Sequence, residues 1–285
     1  MQGRIYKILS NFYYVKVDDA LIECKAKGKF KNMDTELLVG DNVLIEPVDN
    51  SKGNIIELLP RKNKLIRPSV ANVDKLIILV SIKEPEPDYV LLDKQIAYCV
   101  KNDIIPVICI TKIDKDDKKE YENIHHVYTN IGYKVYCVSS KEKIGIEELK
   151  TEIKGNLCVF TGNSGVGKST LINTIFHKNL MKEGEVSIKT QRGKHTTRHV
   201  ELIESDDLTI VDTPGFSMLE MFDIKREELV DCFDEMRKLK FDCAFRDCTH
   251  IKEECCAIKE AVKNGSIDNG RYSRYVQIYN EIIKK

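Results

Sequence analysis

The stretch that decides the fold is residues 157–176, LCVFTGNSGVGKSTLINTIF. Its first four residues are apolar, as in a buried strand, and the residues from Ser169 onward have the apolar spacing of a helix. Between them, residues 162–169 match the phosphate-binding pattern G-x-x-x-x-G-K-[ST] in the strand-to-helix setting that this pattern requires. The alternative, an ordinary glycine-rich turn, does not account for the complete spacing. We therefore predict a nucleotide-binding α/β domain.

The chemistry of this loop assigns a role to each part of it. Glycines let backbone N–H groups turn toward the phosphates, and the helix N-terminus adds its positive dipole end. Lys168 is predicted to reach the β- and γ-phosphates and to act in catalysis, and Ser169 to bind Mg²⁺. The predicted phosphate-side residues are Gly162, Asn163, Ser164, Gly165, Val166, Gly167, Lys168, Ser169 and Thr170.

A second phosphate motif, DTPG at residues 212–215, follows the apolar run Leu208-Thr209-Ile210-Val211. An acid at the tip of a second strand is where a magnesium-binding carboxylate belongs, so we assign that role to Asp212. The N–H of Gly215 can then contact the γ-phosphate. D-x-x-G alone is common in turns, and the phosphate loop upstream is what makes it informative.

Two further motifs predict a guanine site. TKID (111–114) and VSSK (138–141) each end an apolar strand, although either one alone could be a surface turn. The carboxylate of Asp114 can accept hydrogen bonds from N1–H and the exocyclic amine of guanine, whereas adenine would leave it unpaired. Lys112 can lie along the base ring. The predicted base-side residues are Thr111, Lys112, Ile113, Asp114, Ser139, Ser140 and Lys141.

The order of these motifs is unusual, because the base motifs precede the phosphate loop. In ordinary GTPases the phosphate motifs come first. The sequence therefore predicts a circularly permuted domain, which keeps its strand neighbours if the original termini lie close together. The loops still meet at the carboxyl edge of a parallel sheet.

The regions on either side of the nucleotide-binding motifs differ from the region that carries them in the pattern of their apolar residues. We therefore divide the chain into three regions, residues 1–62, 63–220 and 221–285. Five short alternating runs within residues 1–62 predict an OB-type barrel. A lysine at every second position from 25 to 31 would line one strand face, either for phosphate contact or as a solvated edge. Residues 61–68 are interpreted as a linker, and residues 225–239, 257–265 and 273–284 as three helices.

Cysteines crowd the last region. Cys243, Cys248 and His250, with Cys255 or Cys256, offer three thiolates and one imidazole, the ligand set of a closed structural zinc site. The alternative is a group of buried thiols beside a chance histidine. A small helical module with little core is the kind that a metal stabilises.

Composition limits the function classes. Lys plus Arg and Asp plus Glu both number 45, which excludes a binder held on nucleic acid by bulk positive charge. No apolar run approaches the roughly 18 residues of a membrane span. The N-terminus lacks a signal-peptide pattern, so we expect a cytosolic protein with reduced cysteines and no membrane partner.

The permuted motifs, the leading barrel and the trailing cysteine cluster together resemble one family along essentially the whole chain: RsgA, the ribosome small subunit-dependent GTPase. The resemblance rests on TKID, VSSK, GNSGVGKST, GKHTTRHVELI, DTPGF and CAFRDCTH. Thr111 departs from the commoner Asn of GTPases. The resemblance implies a GTPase that assists late maturation of the small ribosomal subunit and is stimulated by it. It also implies GTP and GDP, the subunit and its rRNA as partners, Mg²⁺ bound with GTP, one structural Zn²⁺, and Cys256 as the last zinc ligand. We expect a monomer.

Hydrolysis of GTP also requires a residue that orients the attacking water. Phe216 follows DTPG and cannot orient water, so residues 189–199 must supply the group. By similarity to T-T-R switch segments, Thr197 rather than Thr196 is assigned to Mg²⁺. His195 is the candidate for positioning water, with contact to RNA as the alternative role. Two other functions remain as alternatives: an RNA-binding module with a regulatory, weakly hydrolytic nucleotide site, and an ATP-dependent kinase or ATPase, which TKID and VSSK oppose.

Overall fold

The computed structural model describes residues 1–31, 36–176, 200–212 and 224–283. These residues form two compact units, each made of two chain segments. One comprises Met1–Ile77 and Ile146–Glu220, and the other Ile78–Gly145 and Met221–Lys285. Within the described ranges, no helix is both long and apolar enough to span a bilayer.

The N-terminal strands of the first unit form a closed barrel. They are β1 (Gln2–Leu9), β2 (Phe12–Val17), β3 (Ala20–Ala26), β4 (Asn42–Pro47) and β5 (Lys52–Leu58). Their order is β1-β2-β3-β5-β4, and β4 pairs back with β1 to close the barrel. Ile5, Val15 and Ile55 point inward and are fully buried, because alternate residues of each strand face the interior. The predicted OB-type barrel is confirmed.

The predicted strand face of lysines is wrong. Strand β3 ends at Ala26, and Gly28–Lys31 form a 3₁₀ helix in its place. The period of two therefore does not continue past residue 26, and the lysines at 25–31 do not share one strand face. Lys27 is exposed and pairs with Glu46 at 2.6 Å.

The predicted linker also has regular structure. Short strands β6 (Lys64–Leu65) and β7 (Val70–Ala71) pair as a hairpin, and Val39 bridges to Val70. Arg61 donates from Nε and Nη2 to the buried carboxylate of Asp41, at 2.6 and 2.7 Å. These contacts fix residues 61–73 against the barrel, so this segment does not act as a free linker.

The α/β part alternates strands and helices as the sequence predicts. Its elements are β8 (Lys75–Ser81), α1 (Tyr89–Lys101), β9 (Ile105–Thr111), α2 (Tyr121–Ile131), β10 (Lys134–Val138), α3 (Ile146–Ile153), β11 (Leu157–Thr161), α4 (Lys168–Phe176), β12 (Glu201–Ser205) and β13 (Leu208–Asp212). In the first unit β11 and β13 are parallel, and in the second β9 and β10 are parallel. Strand β12, which the sequence reading missed, runs antiparallel to both β13 and β1.

The C-terminal region belongs to the second unit and is mainly helical. It contains 3₁₀ helices at Arg226–Cys232 and Leu239–Asp242, with α5 (Asp234–Arg237), α6 (Ala257–Lys263) and α7 (Asn269–Ile283). The single helix predicted over residues 225–239 is wrong, because the chain is extended at Phe233 and buries that ring. Phe233 packs edge-on against Tyr275 of α7, with 5.3 Å between ring centroids. The predicted fold class of barrel, α/β domain and helical cysteine-containing module is confirmed.

Candidate nucleotide and metal sites

The phosphate loop lies in the first unit, between β11 and α4. Gly165 and Gly167 have φ angles of 82° and 94°, which glycine adopts without the steric cost that other residues incur. The N–H of Val166 donates to the carbonyl of Asn163 at 3.3 Å, and that of Leu171 to Gly167 at 2.9 Å. Lys168 and Ser169 occupy the first turn of α4, where free N–H groups favour an anion.

Two of the predicted magnesium ligands, Ser169 and Asp212, lie after or at the ends of the neighbouring strands β11 and β13. Asp212 is the last residue of β13, which is parallel to β11. Asp212 and the phosphate loop therefore lie at the same edge of the sheet, where both strands end. A carboxylate and a hydroxyl such as that of Ser169 are the oxygen donors that Mg²⁺ prefers. His195, Thr196, Thr197 and Gly215 lie outside the described residues.

The base motifs lie in the second unit, after β9 and β10. Thr111 is the buried last residue of β9, and Lys112 follows in a left-handed conformation with φ 60°. The side chain of Lys112 donates to the carbonyl of Glu84. Burial, assisted by the charge of Lys115, lowers the pKa of Lys112. Ile113 and Asp114 begin a short 3₁₀ helix.

Ser139 fixes the orientation of the Asp114 carboxylate. Its hydroxyl donates to Oδ1 of Asp114 at 2.6 Å and accepts from the N–H of Glu142 at 3.1 Å. Ser139 is fully buried. Its backbone N–H donates to the carbonyl of Ile144, and its carbonyl accepts from the N–H of Ile144. Ser140 is half-buried, whereas Lys141 is exposed. The sequence assigned Ser139 to the base side but did not predict that its side chain contacts Asp114. The side-chain link between the two motifs needed the fold.

The predicted zinc ligands come together in the second unit. One ligand atom each from Cys243, Cys248, His250 and Cys256 lies within 4.8 Å of the other three. Nδ1 of His250 is 3.5 Å from the sulfurs of both Cys243 and Cys256, and these sulfurs are 3.9 Å apart.

These distances agree with a tetrahedral ion. For zinc–sulfur and zinc–nitrogen bonds of about 2.3 and 2.0 Å, the sulfur–sulfur and sulfur–nitrogen edges are about 3.8 and 3.5 Å. The group could therefore hold one metal ion, and its four protein ligands would leave no open position. Cys255 is exposed and is not part of the group.

Comparison with known proteins identifies the family. Residues 58–222 match the family model described as RsgA GTPase, and residues 2–55 match the one described as RsgA N-terminal domain. The chain belongs to the RsgA GTPase family. The predicted resemblance is thereby confirmed.

RsgA relatives match along the full chain. "Small ribosomal subunit biogenesis GTPase RsgA" of Clostridium beijerinckii is 46% identical over 286 residues, covering 100% of this chain and 98% of the relative. The protein of the same name from Caldanaerobacter subterraneus is 45% identical, with 100% and 97% covered.

Solved structures agree with these matches. YjeQ from Thermotoga maritima is 36% identical with a TM-score of 0.86, over 100% of this chain and 99% of that one. YloQ, described as a circularly permuted GTPase, is 36% identical with a TM-score of 0.85, over 99% and 95%. The predicted permutation is confirmed.

A network of neighbouring residues holds the cysteine loop of this RsgA-family chain. Glu253 accepts hydrogen bonds from the backbone N–H groups of Thr249 and Ile251, at 2.9 and 3.2 Å. The hydroxyls of Tyr272 and Tyr275, both on α7, donate to the carbonyls of His250 and Thr249. Sequence reasoning missed these residues. The spacing of the tyrosines on one helix was the available signal, but it also fits ordinary core packing.

A second network joins the base-side half of the GTPase domain to the helical region, within the same unit. Asp93 on α1 is fully buried and accepts from Arg271 at 2.6 Å, from Arg274 at 2.5 Å and from the Tyr128 hydroxyl at 2.5 Å. Arg271 also donates to Glu235 at 2.8 and 3.1 Å. Although burial alone would lower the pKa of Arg271, the charges of Asp93 and Glu235 raise it well above its usual value.

Proposed function

We propose that this protein hydrolyses GTP to GDP and phosphate and assists late maturation of the small ribosomal subunit, which stimulates the reaction. Support comes from membership of the RsgA GTPase family and from relatives named small ribosomal subunit biogenesis GTPases. The partners on this proposal are GTP, GDP, the small subunit and its rRNA, and the protein acts as a cytoplasmic monomer.

The observation that carries the nucleotide specificity is the hydrogen bond from buried Ser139 to Asp114. A carboxylate held in one orientation is prepared to accept two parallel hydrogen bonds from guanine, so little rotamer freedom is lost on binding. Adenine presents an acceptor at N1, which would face the charge without a proton. Lys112 and the backbone of Ser140 and Lys141 complete the proposed base contacts, with Thr111 and Ile113 supporting the loop.

On the phosphate side, Lys168 and the N–H groups of residues 162–170 would bind the phosphates. Ser169, Asp212 and Thr197 would hold Mg²⁺, which when bound with GTP neutralises charge on the phosphate oxygens. Gly215 would contact the γ-phosphate. Water attacks the γ-phosphorus in line while the bond to the β–γ bridging oxygen breaks, and His195 is the proposed residue that orients the water.

For the metal group, we propose one structural Zn²⁺ held by Cys243, Cys248, His250 and Cys256. Three thiolates with one imidazole are a common zinc set, and four protein ligands favour a structural role. We further propose that the division at residues 1–62, 63–220 and 221–285 separates barrel, GTPase and metal-binding functions.

One experiment separates this proposal from its alternatives: hydrolysis of GTP and ATP, each with and without purified small subunits. We expect GTP-selective turnover that rises with subunits. Equal use of ATP would indicate a general NTPase or kinase. Slow GTP turnover that subunits do not change would indicate an RNA-binding module with a regulatory nucleotide site.

A variant tests the base site directly. Asp114→Asn should lower GTP affinity and favour xanthosine triphosphate, whose 2-oxo group accepts where guanine donates. Asp117→Asn, an exposed acid three residues away, is the matched control. Unchanged GTP affinity in Asp114→Asn would refute the assignment.

A further inference from the structure

The loop that carries Asp114 is held firmly where it begins. Thr111 is the buried last residue of β9, and the side chain of Lys112 donates to the carbonyl of Glu84 in the segment after β8. Downstream of Asp114, Lys115 pairs with the carboxylate of Glu84, but both of these side chains are exposed. Because exposed ion pairs contribute little, the backbone after Asp114 depends on another contact for a fixed position.

Asp116 supplies that contact. It is 5% exposed, whereas the next residue, Asp117, is exposed. The N–H of Asp116 donates to the carbonyl of Ile113 at 3.1 Å, which closes a turn around Asp114. Its side-chain oxygen Oδ2 accepts from the N–H of Tyr121, the first residue of α2, at 2.8 Å. A single residue thus joins the turn that contains Asp114 to the start of a helix.

Helix α2 is a firm support for this hydrogen bond. Ile124 and Tyr128 of α2 are buried, and the hydroxyl of Tyr128 donates to the buried carboxylate of Asp93 on α1. The N–H of Tyr121 therefore ties the turn to a packed helix and not to another surface segment.

The carboxyl group of Asp116 is poorly suited to a role in core packing. Its second oxygen, Oδ1, is buried and has no hydrogen-bond partner within the described residues. A buried polar atom without a partner costs stability, and an apolar side chain would fill the same position without that cost. An acid at this position therefore favours a role in setting the conformation of the loop.

We propose that Asp116 is a positioning residue for guanine recognition, which holds the turn at residues 113–116 through the N–H of Tyr121 so that Asp114 can accept both guanine hydrogen bonds. Ser139 fixes the orientation of the Asp114 side chain, whereas Asp116 fixes the backbone that carries it. Two parallel hydrogen bonds to a flat base require the carboxylate to lie within about 0.5 Å of its best position. This inference rests on the proposed function, because it adds a residue to the same guanine site.

The test compares the binding of GDP and inosine diphosphate to the full chain by calorimetry. Hypoxanthine keeps the N1–H of guanine but lacks the exocyclic amine, so the ratio of the two affinities reports whether Asp114 accepts both hydrogen bonds. Asp116→Ala should weaken GDP binding about 10-fold and inosine diphosphate binding about 2-fold, because a displaced carboxylate loses its second hydrogen bond. The ratio should therefore fall about 5-fold.

Two variants separate the hydrogen bond from the charge. Asp116→Asn keeps an oxygen for the N–H of Tyr121 and should keep the wild-type ratio. Asp117→Ala removes the same charge from an exposed position one residue away and should change neither affinity. The unfolding midpoint of each variant is measured alongside. If Asp116→Ala does not fold, Asp116→Leu takes its place, since leucine fills the buried volume without an acceptor.

A folded Asp116→Ala protein with the wild-type ratio would show that Asp116 serves only the stability of the turn, and the inference would be wrong. It would also be wrong if Asp116→Asn lost the ratio as Asp116→Ala does, because the hydrogen bond from Tyr121 would then not be the cause. A wild type that binds GDP and inosine diphosphate equally would instead contradict the proposed guanine site, and the inference with it.

Discussion

Replacing Asp93 by asparagine should destabilise the second unit strongly. Asp93→Asn preserves the shape of the side chain and an oxygen for the Tyr128 hydroxyl, but it removes the negative charge that two arginines share. Arg271 is fully buried and would keep only Glu235 as a partner, and Arg274 would lose its ion pair. The charges of Asp93, Glu235, Arg271 and Arg274 sum to zero in the wild type and to +1 in the variant.

The size of the expected destabilisation follows from the burial of the two arginines. Removing one partner of a buried ion pair typically costs about 3–5 kcal/mol, because the remaining charge is left without solvent or counter-charge. Arg274 is 17% exposed and Arg271 retains Glu235, so part of the loss is compensated. We therefore expect the lower end, about 3 kcal/mol, which is more than 100-fold in the folding equilibrium constant.

Urea unfolding followed by circular dichroism measures this change, with metal content recorded for each sample. Glu281→Gln is the matched control, because Glu281 pairs with Lys94 across the same two helices, α1 and α7, but at the surface. The control should change the free energy of unfolding by less than about 1 kcal/mol. If Asp93→Asn changes it no more than Glu281→Gln does, the network does not stabilise the unit and the reasoning fails.

Three further predictions follow from single contacts. Ser139→Ala should weaken GTP binding about 5- to 10-fold by freeing the carboxylate it holds, measured by calorimetry; an unchanged affinity would show that the hydrogen bond does not prepare the site. Cys256→Ser should lose the bound metal, measured by elemental analysis, while Cys255→Ser keeps it; the reverse result would reassign the ligand. Although burial raises the pKa of Glu204, hydrogen bonds from β1 and β2 lower it below the usual 4.5 overall. Ionised Glu204 therefore stabilises the fold above that pH, and the stability difference between wild type and Glu204→Gln, at most about 1 kcal/mol at pH 7, should vanish as the pH falls below 4.5.

Local patterns were enough to predict the barrel strands, the α/β alternation and the phosphate loop. A strand of period two or a glycine-rich turn is specified by neighbouring residues, and the match of spacing and setting is rare by chance. The lysines at 25–31 show the limit of such patterns, since an alternation of charges does not itself keep a strand extended beyond Ala26. The prediction of a single helix over residues 225–239 is wrong for a related reason. Burying Phe233 against Tyr275 outweighs helical propensity in this segment.

By itself, the sequence determined the permuted order of motifs and predicted the guanine and phosphate chemistry. It left Cys255 and Cys256 as alternatives for the last metal ligand, and only the family resemblance favoured Cys256. The tertiary structure decided which sulfur joins the ligand group, that Ser139 orients Asp114, and that Asp93 meets Arg271 across 178 positions of the chain. The residues of a motif are close together in sequence, so their spacing alone can identify it. Buried charge pairs and ligand groups depend on which distant segments pack together, and many different pairings of Asp with Arg are compatible with the same sequence until the fold selects one.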